Sequence, residues 1–174
     1  MSRTTDYVRI AIVTALVIVV GLAVFPLMQF VPFPVFKVVW IGPLYSMAGW
    51  ILLQRSSLPG TIIFFGGLLG AILTVFMPYM FLVSLSGGLG AQIAGRVAEL
   101  LGTDRRRSDG IRAVAFPVFQ LPLMYILVMP LDSATAWWIM IILTAAVAVT
   151  SWGGLYFGRL LDRRLAPVVE SDGV

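Results

Sequence analysis

The stretch Ser84–Ala98, SLSGGLGAQIAGRVA, decides the fold because it places small residues at helical spacing inside a long apolar run. Small residues recur at steps of three and four on one face, and a second small stripe lies beside it: Ser84, Gly87, Gly88, Ala91 and Gly95, then Gly90, Ala94 and Ala98. In water, each glycine costs a helix about 1 kcal/mol relative to alanine. In a bilayer, such faces let neighbouring helices pack closely. We therefore expect a central transmembrane helix that is contacted on at least two sides.

The composition of the whole chain assigns it to the membrane class. The 174 residues are 60% hydrophobic and 11% charged, with a mean hydropathy of +1.00. A soluble domain of this length does not need so much apolar surface. The sequence contains no cysteine and no histidine, which excludes disulfides, thiol catalysis and histidine-ligated metal or haem sites. We expect one integral membrane domain over residues 1–174, with no cofactor.

Apolar runs separated by short polar breaks predict a compact, all-α bundle of six transmembrane helices. The predicted spans are about 7–29, 35–53, 60–77, 79–101, 111–129 and 135–161. Pro26 predicts a kink or an end near the far side of the first span. Pro117 and Pro122 predict that the fifth span is bent or broken. The polar stretch 102–110 is expected to connect the fourth and fifth spans.

The basic residues indicate how the bundle is oriented. If six spans alternate in direction, Lys37 alone among the 12 lysines and arginines falls at one end, and all the others fall at the opposite end. Positively charged residues stay on the cytoplasmic side of a membrane. We therefore expect a multi-pass protein of the cell membrane with both termini in the cytoplasm. The high isoelectric point then reflects topology and does not indicate a nucleic-acid partner.

Few residues could carry catalysis or ion coupling within the spans. The spans contain no aspartate, Glu99 lies about one turn from the cytoplasmic end of the fourth span, and Asp132 falls in an outer loop. A proton-coupled carrier usually places an ionisable residue near the midplane. A glycine-rich phosphate loop with its lysine is also missing from the sequence. We expect no enzymatic activity, which leaves binding of a small molecule or of other proteins.

Aromatic and polar residues in the outer half of the bundle suggest an outward-facing ligand pocket. The candidate substrate-binding residues, including an amide near the middle of the fourth span, are Lys37, Trp40, Tyr79, Ser84, Gln92, Tyr125, Trp137 and Thr144. Tryptophan and tyrosine also collect at membrane interfaces without any ligand. A lysine near a span end can likewise reach the headgroups by snorkelling. Both interpretations stay open for these residues.

An ordered set of short motifs runs from the first to the fourth span. The first span carries Ala11-Ile-Val-Thr-Ala15, an AxxxA pattern just after Arg9. Three further motifs follow, at Gly42-Pro43-Leu44-Tyr45, Pro59-Gly60 and Gly88-Leu89-Gly90-Ala91. In these motifs, which fall within residues 7–100, the chain resembles the substrate-binding S components of energy-coupling factor (ECF) vitamin transporters. The middle of the chain is similar to the subgroup that binds thiamine precursors.

The resemblance implies a high-affinity capture subunit of an ABC-type importer for a vitamin or vitamin precursor. It implies that Ala11 and Ala15 form a flat face that packs on a transmembrane T component, while two cytoplasmic ATPases supply ATP hydrolysis. An internal helix contact is the alternative role for the two alanines. A cationic vitamin such as thiamine would need a carboxylate in the pocket, and the outer half of the spans has none. The alternative function is a non-transport membrane assembly or scaffold subunit of the MreD type.

Overall fold

The computed structural model describes residues 3–28, 34–128 and 134–171, and the regular structure in these ranges is entirely α-helical. The six helices are α1 (Arg3–Met28), α2 (Pro34–Arg55), α3 (Thr61–Leu73), α4 (Met80–Leu100), α5 (Arg105–Val128) and α6 (Ala134–Ser171). The predicted all-α class is therefore confirmed. Segments of α1, α5 and α6 are long and apolar enough to cross a membrane, and α3 is a shorter apolar helix. The predicted outer connections at 30–34 and 130–134 fall almost entirely outside the described residues.

Three helices, α3, α5 and α6, differ most in length from the predicted spans. α3 ends at Leu73 because the chain tightens into a turn there, with the Phe76 N–H donating to the Leu73 carbonyl at 3.0 Å ahead of Pro78. α5 begins within the predicted connection, since the Ser108 N–H already donates to the Asp104 carbonyl at 2.9 Å. Aspartate is a favoured residue at a helix start. α6 extends to Ser171, ten residues past the predicted end.

The centre of the bundle is held by α5, which packs against α2, α4 and α6. Half of its candidate spanning window is buried, compared with 17% for α1. α1 contacts α2 and α3 and therefore lies at the edge of the bundle. The prolines at 117 and 122 do not interrupt α5, which runs as one helix. The small residues of the fourth span predicted α4 as the centre, but α4 packs mainly on α3 and α5.

The small residues of α4 do contact two neighbouring helices, as predicted. Towards α3, a Cβ on Gly88 would lie 3.0 Å from the Ile62 carbonyl oxygen. Towards α5, a Cβ on Gly87 would lie 2.7 Å from the Phe116 carbonyl oxygen, and Gly90 leaves room for the ring of Phe119. Glycine is therefore needed on both sides, because any side chain would separate α4 from its neighbours.

Another close approach joins α2 to α6. Gly154 lies against the backbone of Pro43, where an added Cβ would clash. One turn further along, Gly158 lies against Met47 and Trp50, and Arg159 stacks its guanidinium 4.9 Å from the centre of the Trp50 ring. Trp50 is fully buried. Arg9, Arg55 and Arg105 lie at the same end of the bundle as Arg159, and we call it the arginine end.

Candidate functional site

The predicted outer-pocket residues do not all point to one place. Trp40 is 70% exposed and Trp137 is 47% exposed, so both rings face outward from the bundle. Tyr125 is buried, and it packs in one apolar cluster with the half-buried Tyr79. The Tyr79 hydroxyl donates to the Met77 sulfur at 3.0 Å. The structure therefore brings the two tyrosines together and places the two tryptophans on the surface.

The remaining predicted residues serve local contacts or lie elsewhere. Ser84 is buried against α3, where its Cβ would be 3.1 Å from a Cβ on Gly70. The Thr144 hydroxyl donates to the Met140 carbonyl one turn back, at 2.8 Å. Lys37 is half-buried near the start of α2. Gln92 lines a cavity at the arginine end, away from the predicted outer half.

A cavity with a polar lining lies at the arginine end. Its volume is about 240 Å³. The loop between α2 and α3, the first turn of α3, and facing stretches of α4 and α5 form its walls. Its polar lining residues are Ser56, Ser57, Thr61, Gln92, Arg96, Glu99, Arg105, Asp109 and Arg112. We call this space the arginine-end cavity. A second, more open recess of about 420 Å³ adjoins it around Arg105 and Arg106.

Arg112 organises the charges at this cavity. Its side chain is 9% exposed, and Nη1 donates to Asp109 at 2.7 Å while Nη2 donates to Glu99 at 2.6 Å. The Gln54 amide donates to the other oxygen of Asp109 at 3.2 Å. The two hydrogen bonds that Arg112 donates are short and charge-assisted, and such bonds are stronger than those between neutral groups. One arginine thus pairs with two carboxylates and joins α4 to α5.

The path of Arg112 depends on a glycine. Its side chain crosses α4 directly over Gly95, where an added Cβ would clash with the arginine stem. The Ser108 hydroxyl donates to the Gly95 carbonyl at 2.8 Å, which closes the same crossing. Arg112 Nε, buried in this contact, finds no acceptor among the described residues. Gly95 therefore has an electrostatic role in addition to helix packing.

A second ionic cluster ties α1 to the rest of the arginine end. Asp6 is 1% exposed and accepts two hydrogen bonds from Ser57, from its hydroxyl at 2.8 Å and from its N–H at 3.2 Å. Arg9 donates to the Arg55 carbonyl at 2.6 Å and lies 3.6 Å from Asp6. Arg55 in turn reaches Asp162 on α6 at 3.5 Å. The cluster links α1, α2 and α6 at one end.

Neither ionic cluster was predicted from the sequence. Glu99 was noted only for its place near a span end, and Asp109 fell within the predicted connection. The available signal was the spacing of Asp109 and Arg112, three residues apart, which places them on one face of a helix. The contact of Asp6 with Ser57 has no comparable local signal. Among the described residues, no group of three or more acidic side chains could hold a metal ion.

The predicted coupling residues Ala11 and Ala15 lie on the outer surface of α1, and both are exposed. The buried side of the helix is carried by Ile10, Thr14 and Val17. The alternative assigned to the two alanines, an internal helix contact, is therefore not what the described residues show. No family model, curated protein or solved structure matches this chain significantly.

Proposed function

We propose that this chain is the solute-binding subunit of a multi-subunit membrane importer, of the S-component type, for a vitamin or vitamin precursor. The observation that carries the proposal is the position of Ala11 and Ala15. They lie four residues apart on the exposed face of α1, the helix at the edge of the bundle. Small side chains on such a face let another helix pack closely against it. In this proposal it receives a transmembrane T component, which couples the chain to two cytoplasmic ATPases.

The proposed orientation has six spans, with both termini and the arginine end in the cytoplasm. The contacts of Asp6, Arg55 and Asp162 gather the ends of α1, α2 and α6 at one end, as six alternating helices require. The positive-inside rule assigns that end to the cytoplasm. The chain itself would carry no enzymatic activity and would capture its solute from the other side.

The solute site in this proposal lies in the outer half, around Lys37, Tyr79 and Tyr125. A cation together with aromatic rings suits a ring-bearing solute with a carboxylate, a phosphate or a polarised carbonyl. The exposure of Trp40 and Trp137 favours a role in the interfacial aromatic belt for these two residues.

The coupling face is tested by replacing both Ala11 and Ala15 with tryptophan. The large rings would hold a partner helix away, so we expect the ATPases to be lost on co-purification and uptake to stop. Solute binding in detergent should persist, because neither alanine supports the core. The matched control is Ala145→Trp, at an exposed alanine on α6. Co-purification that survives the double change would refute the coupling role.

A second candidate, the scaffold subunit, is favoured by the packing around Tyr125. The ring is 2% exposed within an apolar cluster that includes Val83, Leu121 and Leu143. A filled outer half of this kind suits a protein that only assembles with others. The two functions differ in whether the purified chain retains a small molecule.

A further inference from the structure

Two polar stripes face each other across the arginine-end cavity. Each stripe has its members at positions i, i+4 and i+7, which lie on one side of a helix. The stripes are Gln92, Arg96 and Glu99 on α4, and Arg105, Asp109 and Arg112 on α5. Only 20 of the 174 residues are charged, as 12 basic and 8 acidic ones. Five of them line this one cavity, which is a strong concentration for an apolar chain.

The charges of the cavity do not cancel. Arg112 is engaged with both carboxylates, at 2.6 Å and 2.7 Å, so Glu99 and Asp109 already have a partner. Arg96 and Arg105 form no ion pair with any described residue. Both are exposed and line the cavity. The cavity therefore holds two guanidinium groups with free donors and a net positive charge.

The start of α3, which forms the third wall of the cavity, adds backbone N–H donors. α3 begins directly after Gly60, which has a φ of 81°, and no side chain caps the helix start. The first N–H groups of a helix have no acceptor within it. The partial positive charge of a helix start also attracts anions. Gly60 and Thr61 both line the cavity, so this helix start lies at the same space as the two arginines.

We propose that the arginine-end cavity binds a phosphate group, held by Arg96 and Arg105 with the start of α3 and the Gln92 amide. Arginine is suited to this role because its planar fork binds phosphate oxygens two at a time. Basic pockets between helices at the cytoplasmic end of membrane proteins bind phosphate headgroups. The phosphate belongs either to an anionic lipid or to a small soluble phosphate. The inference does not rest on the proposed solute-capture function.

The role of Arg112 in this site is to hold the facing stretches of α4 and α5 together. By pairing with Glu99 and Asp109, it compensates part of their negative charge and so weakens their repulsion of the incoming anion. An anion within reach of free carboxylates would be strongly disfavoured. Arg112 thus positions the site, while Arg96 and Arg105 contact the ligand.

The test compares the full chain with the double variant Arg96→Gln, Arg105→Gln. The matched control is the double variant Arg163→Gln, Arg164→Gln. It removes two exposed charges of α6 that lie outside the cavity. One arm measures lipids retained from bilayers of phosphatidylglycerol and phosphatidylcholine by native mass spectrometry. The other arm titrates inorganic phosphate against the purified chain and follows ³¹P line broadening. Size-exclusion profiles and helix content check that each variant is folded.

We expect the cavity variant to weaken phosphate binding at least about tenfold, as the loss of charge-assisted hydrogen bonds predicts. The control should bind like wild type, and the single variant Arg105→Lys, which keeps the charge, should bind more tightly than the double variant. Selective retention of phosphatidylglycerol identifies a lipid headgroup, and binding of inorganic phosphate alone identifies a soluble ligand. Equal binding by wild type and the cavity variant would overturn the proposal. So would equal losses in the cavity variant and the control, or no binding of either probe by wild type.

Discussion

At the scale of single residues, Arg112 occupies an environment that is unfavourable for a charge. It is an almost fully buried cation in an apolar bundle, and two carboxylates depend on it. Removing one partner of a buried ion pair strongly destabilises a protein, because the other charge stays buried without compensation. Its neighbourhood includes Gly95, whose missing side chain makes the crossing possible.

We therefore predict that Arg112→Met lowers the free energy of unfolding by about 3–5 kcal/mol, since it leaves the buried carboxylate of Asp109 without its partner. The measurement is a denaturant titration in detergent, followed by circular dichroism. Arg107→Met is the control, because Arg107 also pairs three residues away, with Asp104 at 3.5 Å, but both side chains are exposed. That exposed pair should contribute little to the free energy of unfolding. Equal losses in the two variants would show that burial is not the deciding factor.

At the scale of helices, glycines set how closely α4 and α6 approach their neighbours. Sequence analysis could predict that Ser84–Ala98 packs closely, because small residues at helical spacing have few other uses in a membrane. It could not predict which glycine faces which helix. That depends on the rotation of each helix, which is fixed by contacts far apart in the sequence, such as Gly88 with Ile62.

The adjacent glycines of α6 offer a direct test of helix approach. Gly154 lies against the Pro43 backbone, whereas a Cβ on Gly153 would meet open space. We predict that Gly154→Ala destabilises the protein by about 1–3 kcal/mol, because rigid backbone cannot move aside as a flexible side chain can. Gly153→Ala should be neutral or stabilising by up to about 1 kcal/mol. Thermal unfolding in detergent compares them, and the reverse order would contradict the described α2–α6 contact.

At the scale of the whole molecule, apolar runs alone gave six helices near their observed places. This worked because a long apolar run has few alternatives to a helix in a membrane protein. Polar contacts were harder to predict. Asp6 and Ser57 are 51 residues apart, and their bond depends on how α1 docks on the bundle. The arginine-end cavity was missed for the same reason, although its charged residues were visible in the sequence.

The proposed topology gives a prediction for the intact cell. Because the chain has no cysteine, single cysteines can report each end separately. Phe76→Cys, at an exposed position opposite the arginine end, should react with an impermeant thiol reagent from outside. Ser171→Cys, at the end of α6, should be protected until the membrane is permeabilised. Labelling of Ser171→Cys in intact cells would invert the proposed orientation.

The proposed solute-capture function requires that the chain hold a small molecule by itself. The most direct measurement is mass spectrometry of small molecules released from the purified chain, followed by titration of the released compound against wild type and Lys37→Met. We expect one ring-bearing compound with an anionic or carbonyl group, bound about ten- to a hundredfold more weakly by the variant, as the loss of one charge-assisted hydrogen bond predicts. Equal affinities would remove Lys37 from the site. A purified chain that releases no such compound, and takes up none from a cell extract, would contradict solute capture and leave the scaffold function in its place.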